Sequence, residues 1–324
     1  MRGRGPYKSL LLGHVFHQPR TYRGRRNRSR PRQYRRPYFC LYKFGCVPNM
    51  CRGNGATYAS QPPLLFLMTK DFYVHTGDRD FLIKGYDALS LEYSFWTEKR
   101  SSPSGLNRYG SNFDYSAGDP DLTEFSRRMK RDFNVLPKEE KIAIAIDRNA
   151  EGESGHDYSP RFFGRASETN PVDLNSYLYG FERTMAEFSA ILGRDEEDKW
   201  NALADKRKTL MDELCLDRET GVYFDYDFDK VERTGVYSGG SYLPFVFGLS
   251  DDTRALSLVN DRLIGKGGVF CCEKLPSDGL NYQWGYPNSW APYNWFGLSR
   301  TNGSASQNGI PYSRILVKRR RRNV

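Results

Sequence analysis

Apolar residues recur at the helical period of about 3.6 along four stretches of this chain. Leu64, Leu65, Met68 and Phe72 share one face until Gly77 interrupts them, which predicts a helix ending at that glycine. Leu82, Tyr86, Leu89, Tyr93 and Trp96 form a stronger stripe, with Asp78 placed to cap its start. Leu174, Leu178, Phe181, Met185, Phe188 and Leu192 give the clearest helix, bounded by Pro171 and Gly193. The next takes Trp200, Leu203, Leu210 and Leu214 as its apolar face, with Asp195, Glu196 and Glu197 at its electropositive end.

Between these stretches the pattern changes. Residues 101–149 are rich in Gly, Pro, Ser and Asp, and read as a long functional loop with one short helical piece around Phe125 to Phe133. Val222, Phe224, Tyr226 and Phe228 alternate with Asp225, Asp227 and Asp229, the period of a strand or extended edge. A further helix is expected from Asp251 to Leu263. Long amphipathic helices joined alternately by tight turns and long polar loops predict a layered all-α domain, a helical toroid.

Charge divides the chain more sharply than hydropathy does. Up to Lys43 there are 13 Lys/Arg and no acid, and from Arg314 onward another 6 Lys/Arg and no acid. Removing those from the total leaves 30 basic against 39 acidic residues between them, so the body is acidic and the net +10 belongs to its tails. Residues 1–43 and 298–324 are therefore read as basic tails that bury too little to order themselves, flanking a helical domain at 44–297. Arginines interleaved with Tyr22, Tyr34, Tyr38 and Phe39 have the composition of an RNA-binding segment, but the acidic body argues against a nucleic-acid partner. The six cysteines form no C-x-x-C pair, and no disulfide framework is expected. The apolar run Leu10–Leu12 is too short for a secretory leader, and no stretch has the length of a membrane span.

The residues with the most chemical content are Glu153-Ser154-Gly155-His156-Asp157-Tyr158-Ser159-Pro160-Arg161-Phe162. An acid set among aromatic side chains can hold its proton near neutral pH, although by itself an aspartate here reads as a loop or capping residue. The weaker signals lead nowhere. Asp225-x-Asp227-x-Asp229 opens like a calcium loop but has Lys230 and Val236 where that loop needs Gly and Glu. His14, His17, His75 and His156 make no ligand cluster, Gly265-Lys266-Gly267-Gly268 is an isolated fragment of a phosphate loop, and no G-x-S-x-G occurs.

The stretch around Asp157 resembles the E-S-G-W-D-(F/Y)-S-S-R-(W/F) motif of the trehalases. Other segments resemble that family in the same order: Ser60-Gln61-Pro62-Pro63-Leu64-Leu65, His75-Thr76-Gly77-Asp78, Glu92 to Arg100 and Leu106-Asn107-Arg108-Tyr109. They continue with Pro171-Val172-Asp173-Leu174-Asn175, Gly221-Val222-Tyr223-Phe224-Asp225-Tyr226-Asp227 and Gln283-Trp284-Gly285-Tyr286-Pro287-Asn288-Ser289-Trp290-Ala291-Pro292. The resemblance runs from about Phe44 to Trp295. It implies an (α/α)6 barrel, incomplete here at both ends, and hydrolysis of α,α-trehalose to two glucoses by inversion, without metal or organic cofactor. By the same resemblance Asp157 is the general acid, Asn49, Ser60, Gln61 and Gly155 line the glucose site, and Trp284 supplies an aromatic wall.

Several positions depart from the family pattern. Ala59 stands where the family has the Arg of R-S-Q-P-P, His156 where it has Trp, Gly285 where it has Asp and Ser289 where it has Gly. The counterpart of R-P-E-S is Asp119-Pro120-Asp121-Leu122. The trehalase base is a Glu downstream of the last matching segment, and no Asp or Glu follows Asp278 here. Inverting hydrolysis needs a second carboxylate to deprotonate water, so these 324 residues are expected to turn over little substrate.

Overall fold

The computed structural model describes residues 31–250 except 53–54, 57–58 and 116–117, together with Arg254 and Leu258. The expected helices form where the apolar stripes placed them. Helix α1 spans Pro31–Phe44, α2 Leu65–Thr76, α3 Arg79–Lys99, α4 Thr123–Met129, α5 Lys138–Ser154, α6 Val172–Leu192, α7 Glu197–Leu214 and the single-turn α8 Leu243–Val246. Gly77 and Gly193 end α2 and α6 in the left-handed conformation, at φ 66° and 70°, which only glycine adopts without a Cβ penalty. Asp78 caps α3 by accepting the Phe81 N–H at 2.9 Å.

Three of the four stripes are the core. Leu82, Tyr86, Leu89, Tyr93 and Trp96 of α3 and Leu174, Leu178, Phe181, Met185 and Phe188 of α6 are all buried, and with Leu65 and Phe66 of α2 they form one continuous apolar cluster. Phe66 and Tyr93 both set their rings against Phe181, at centroid distances of 5.3 and 5.7 Å. Helices α6 and α7 make the most extensive helix pair. A second cluster joins the far side of α6 and α7 to Val222, Tyr223, Tyr226, Tyr242 and Phe245. A small third cluster gathers Leu122, Met129, Phe133 and Ala145 around Tyr158.

Three expectations are corrected. Order begins before residue 44: Tyr38, Cys40 and Leu41 of α1 are buried, and the Tyr38 hydroxyl hydrogen-bonds Thr69 at 2.7 Å. The many arginines before Tyr38 hid a stripe of only three residues. In the long loop at 101–149 the short helical piece expected around Phe125 to Phe133 is α4, but the loop also contains the first part of α5, a 17-residue helix running on to Ser154. Its apolar face is short, and its acidic first turn, Glu139 and Glu140, disguised it as polar loop. On α7 the buried residues are Trp200, Ala204, Arg207 and Met211, whereas Leu203, Leu210 and Leu214 are only partly covered; the buried arginine breaks the stripe that sequence reading follows. The Asp-rich alternation, expected as a strand or extended edge, forms the two-residue strand Tyr226–Asp227 in a three-stranded sheet with Thr169–Asn170 and Glu232–Arg233. Of the helix expected from Asp251 to Leu263, Arg254 and Leu258 are helical and the remainder lies outside the described residues.

Among the described residues no helix is long and apolar enough to cross a membrane. Cys46 and Cys215 are buried free thiols.

Candidate active site

Asp157 owes its position to a reversal of the chain at the C-terminus of α5. Gly155 takes φ 79° and donates its N–H to the Gly152 carbonyl at 3.2 Å, a left-handed cap that a Cβ would strain. The chain then folds back along the helix it has left. A Cβ on Gly152 would stand 3.6 Å from Asp157 Oδ1, so the carboxyl lies over the last turn. Tyr158 also has positive φ, 59°, and its N–H is donated to Glu151 Oε2 at 3.1 Å. Ser159 accepts the Arg161 N–H at 3.1 Å and caps the 3-10 turn Pro160–Phe162.

The environment of Asp157 favours a proton. The side chain makes no hydrogen bond or ion pair among the described residues. Burial raises its pKa above the ordinary aspartate range, and the charges of Arg148 and Arg128 only partly oppose this. Both guanidinium groups are drawn to the neighbouring tyrosine instead: they lie 4.9 and 4.8 Å from the Tyr158 ring centroid, and Arg148 donates to its hydroxyl at 2.5 Å. Phe125 stacks on the same ring at 5.9 Å. Asp157 is thus a half-buried carboxyl without a hydrogen-bond or ion-pair partner among the described residues, its pKa raised by burial, and is suited to donating a proton.

Glu153, just before the turn, has the opposite character. It is completely buried and accepts five hydrogen bonds: from Ser60 Oγ at 2.6 Å, Ser60 N at 3.3 Å, Arg100 Nε at 2.6 Å, Arg100 Nη2 at 2.8 Å and Gly110 N at 2.8 Å. This carboxylate binds the segments of Ser60, Arg100 and Tyr109 to the end of α5. The Ser60 hydroxyl is therefore committed to Glu153. Its neighbour Gln61 is buried and donates from Nε2 to the Ser60 carbonyl at 3.2 Å, while its Oε1 has no partner among the described residues. Asn49 is brought beside them, donating its N–H to the Ala59 carbonyl at 2.9 Å where Pro48 bridges Ser60.

Arg161 is a second buried node. It pairs with Asp173 through Nη1 and Nη2 at 2.7 and 3.1 Å, and with Asp225 through Nε and Nη2 at 2.6 and 2.7 Å. Burial alone would lower its pKa, but the two carboxylates outweigh burial and hold it well above the usual arginine value. Gly240 is required by this packing, because a Cβ there would stand 2.8 Å from Arg161 Nη2. The Asp-x-Asp-x-Asp run is accounted for by arginines: Asp225 binds Arg161, while Asp227 and Asp229 bind Arg165 at 2.7 and 2.9 Å. A third node ties Asn107 to Asn175 and Arg207. Asn175 Oδ1 accepts from the Asn107 N–H at 3.0 Å and from Arg207 Nη1 at 2.9 Å, and Arg207 pairs with Glu182 at 2.7 Å.

The structure thus gathers Asn49, Ser60 and Gln61 in one place, and joins them through Glu153 to the helix end carrying Gly155 and Asp157. Trp284 lies outside the described residues. His156, in the position of the family tryptophan, sets Nδ1 3.4 Å from Arg161 Nη1. Asp119, in the counterpart of R-P-E-S, forms an ion pair with Lys141. Sequence reading missed Glu153, Arg100, Arg161 and Arg207, since a buried charge in an amphipathic segment looks like surface until its partner is known. One clue was present: Glu153, Arg100, Asn107, Asp173, Asn175 and Asp225 all fall within the segments that carry the resemblance.

Comparison with known proteins agrees with this architecture. The family model described as Trehalase matches residues 37–310, beginning inside α1. Over 271 residues the chain is 31% identical to human trehalase, covering 77% of this chain and 45% of that protein, and 30% identical to rabbit trehalase, of which it covers 46%. It spans less than half the length of these curated relatives. Among solved structures, the neutral trehalase of Saccharomyces cerevisiae superposes with a TM-score of 0.67 at 25% identity, over 83% of this chain and 57% of that one. A GH63 mannosylglycerate hydrolase from Thermus thermophilus, at 17% identity and a TM-score of 0.50 over 72% of this chain and 67% of that one, shares the fold alone. With a family match over most of its length and buried nodes that unite the matching segments, this all-α chain of the (α/α)6 class belongs to the trehalase family of glycoside hydrolases.

Proposed function

We propose that this chain carries the acid half of a site that hydrolyses α,α-trehalose to two glucoses with inversion, Asp157 protonating the leaving glycosidic oxygen. The observation that carries this reading is the contrast between two carboxyl groups in one short stretch of chain. Glu153 is saturated with donors, whereas Asp157 is desolvated and unpartnered. An acid catalyst needs a proton held near neutral pH and a free path to the substrate oxygen.

Around it, Gln61 offers an unfilled acceptor for a sugar hydroxyl. Asn49 and Trp284 complete the glucose pocket, Gly155 lets the backbone approach the sugar, and Ser60 acts through Glu153 by fixing the start of α2 against α5. The site uses no metal or organic cofactor.

The inverting base must be a carboxylate across the scissile bond from Asp157, and residues 279–324 hold none. These 324 residues by themselves are accordingly expected to bind the disaccharide with little turnover. Glucose release from trehalose, followed beside calorimetric titration with trehalose, tests both statements. Binding with little or no release, the release abolished by Asp157→Asn, is the expected result. Absence of binding, or release that survives Asp157→Asn, overturns the assignment.

A further inference from the structure

We propose that Arg148 and Asn149 seat the glucose that leaves when Asp157 gives up its proton, holding two adjacent hydroxyls of that sugar over the open face of α5 at Gly152. The inference rests on the reading of Asp157 as the acid.

Two stretches of chain run along the end of α5. The segment 110–115 covers one face: Glu153 accepts the Gly110 N–H at 2.8 Å, Asn149 Nδ2 donates to Ser111 Oγ at 3.1 Å and to the Tyr115 hydroxyl, and that hydroxyl donates to the Ala145 carbonyl at 3.2 Å. Ala145, Asn149 and Glu153, spaced by four, share this face. The turn after α5 covers another: Asp157 lies over Gly152, Glu151 accepts the Tyr158 N–H, and the Tyr158 hydroxyl accepts from Arg148 Nη1 at 2.5 Å. Gly152 stands at the seam between the two, with Arg148 and Asn149 one turn before it on either side.

The seam is open. Apart from the helix backbone, the one described atom within 4 Å of a Cβ built on Gly152 is Asp157 Oδ1, at 3.6 Å. Gly152, Arg148, Asn149, Ser111 and Asp157 are half-buried, whereas Ala145, Glu151 and Glu153 are buried.

The groups at its edges suit a sugar. Of the five N–H donors of a guanidinium, Arg148 spends one on Tyr158, and it forms no ion pair among the described residues. The group is braced over the Tyr158 and Phe125 rings, at 4.9 and 5.5 Å from their centroids, so binding costs it little rotamer freedom. Asn149 Oδ1 accepts no hydrogen bond among the described residues, while its Nδ2 is held by Ser111 and Tyr115. A fixed donor and a fixed acceptor across a gap match adjacent sugar hydroxyls, each of which both accepts and donates. Arg148 also reaches the acid: after burial, its charge is the strongest influence on the Asp157 carboxyl, which it draws toward ionisation.

Calorimetric titration of the 324-residue chain with trehalose tests the seat. Gly152 lies inside a helix without a left-handed φ, so Gly152→Ala should raise the thermal midpoint. Its methyl would fill the seam and weaken trehalose binding by about tenfold, a combination that damage to the fold does not produce. Arg148→Gln should weaken binding by about tenfold or more, and Arg148→Lys, which keeps the charge without the planar fork, should recover only part. Among monodeoxy trehaloses, at least one should bind the wild type about tenfold more weakly and lose nothing further in Arg148→Gln. Affinity unmoved by either Gly152→Ala or Arg148→Gln overturns the seat, as do deoxy penalties equal in variant and wild type. Glucose release in Asp157→Asn judges the acid separately, and a wild-type chain that binds no trehalose overturns both.

Discussion

Glu153 Oε2 and Arg100 Nε stand 2.6 Å apart in a site closed to solvent on both sides. The pair joins the last turn of α5 to the C-cap of α3, across 53 residues of chain. Breaking a buried pair from one side leaves the other charge without compensation, which costs roughly 3–5 kcal/mol. Glu153→Gln should therefore lower stability by that order, read as a lower urea midpoint at an unchanged denaturant slope. Arg100 also donates to Asn112 Oδ1 at 2.6 Å, so the strand of chain leading away from Tyr109 should loosen in the same variant.

Arg161 supports a related expectation at a different junction. It links the turn after Asp157 to both Asp173 and Asp225, and Arg161→Met would strand two buried carboxylates. Loss of roughly 3–5 kcal/mol or more is expected, with soluble expression as the first readout. Gly240→Ala is the milder probe. Its Cβ would press on Arg161 Nη2 at 2.8 Å, and the guanidinium is held at both ends and cannot swing aside. A drop of about 1–3 kcal/mol, the range for overpacking, should appear in thermal melts.

Much of the fold was legible because α2, α3 and α6 bury residues at unbroken helical spacing, and α2 and α6 end at glycines that must be left-handed. Where legibility failed, charge was the reason. Arg207 on α7 sits inside the stripe and satisfies Glu182, Asn107 and Asn175 at once; periodicity treats such a residue as surface. Helix α5 faces the core with Ala145, Ala150, Glu151 and Glu153, a pattern with no large apolar residue. Asp157 was found through motif resemblance, and its desolvation could be anticipated from Tyr158 and Phe162. The separate fates of Asp157 and Glu153 could not, since both are acids in the same short stretch and only their partners distinguish them.

Glu92 predicts a pH dependence of stability. It is buried on α3, its Oε2 is unpartnered among the described residues, and burial pushes its pKa up to about 8. The folded state thus holds this proton more tightly than the unfolded chain, whose glutamate titrates near about 4.3. Below that value both states are protonated and the group is neutral to stability. As pH rises through the window up to about 8, the unfolded chain ionises and the folded one does not, and stability falls by roughly 1.4 kcal/mol per unit. Glu92→Gln should remove that slope. Chemical denaturation at about pH 6, 7 and 8, within that window, checks it, and a wild-type slope retained in the variant would assign it elsewhere.

The contrast between Glu153 and Asp157 also separates structural from functional acids by stability alone. A carboxylate that accepts five hydrogen bonds is an asset to the fold, and replacing it is costly. A desolvated carboxyl with no partner is a liability: its raised pKa means that the folded state resists ionisation, so above the unfolded aspartate range it subtracts from stability. Asp157→Asn removes the ionisation while nearly preserving volume. It should leave stability unchanged at pH values below the unfolded aspartate range and raise it at neutral pH. Glu153→Gln should lower stability at the same neutral pH, and the two variants should move the thermal midpoint in opposite directions. Residues kept for chemistry are those whose loss the fold tolerates or welcomes; a destabilised Asp157→Asn protein would instead make Asp157 part of the scaffold and remove the physical basis for its role as proton donor.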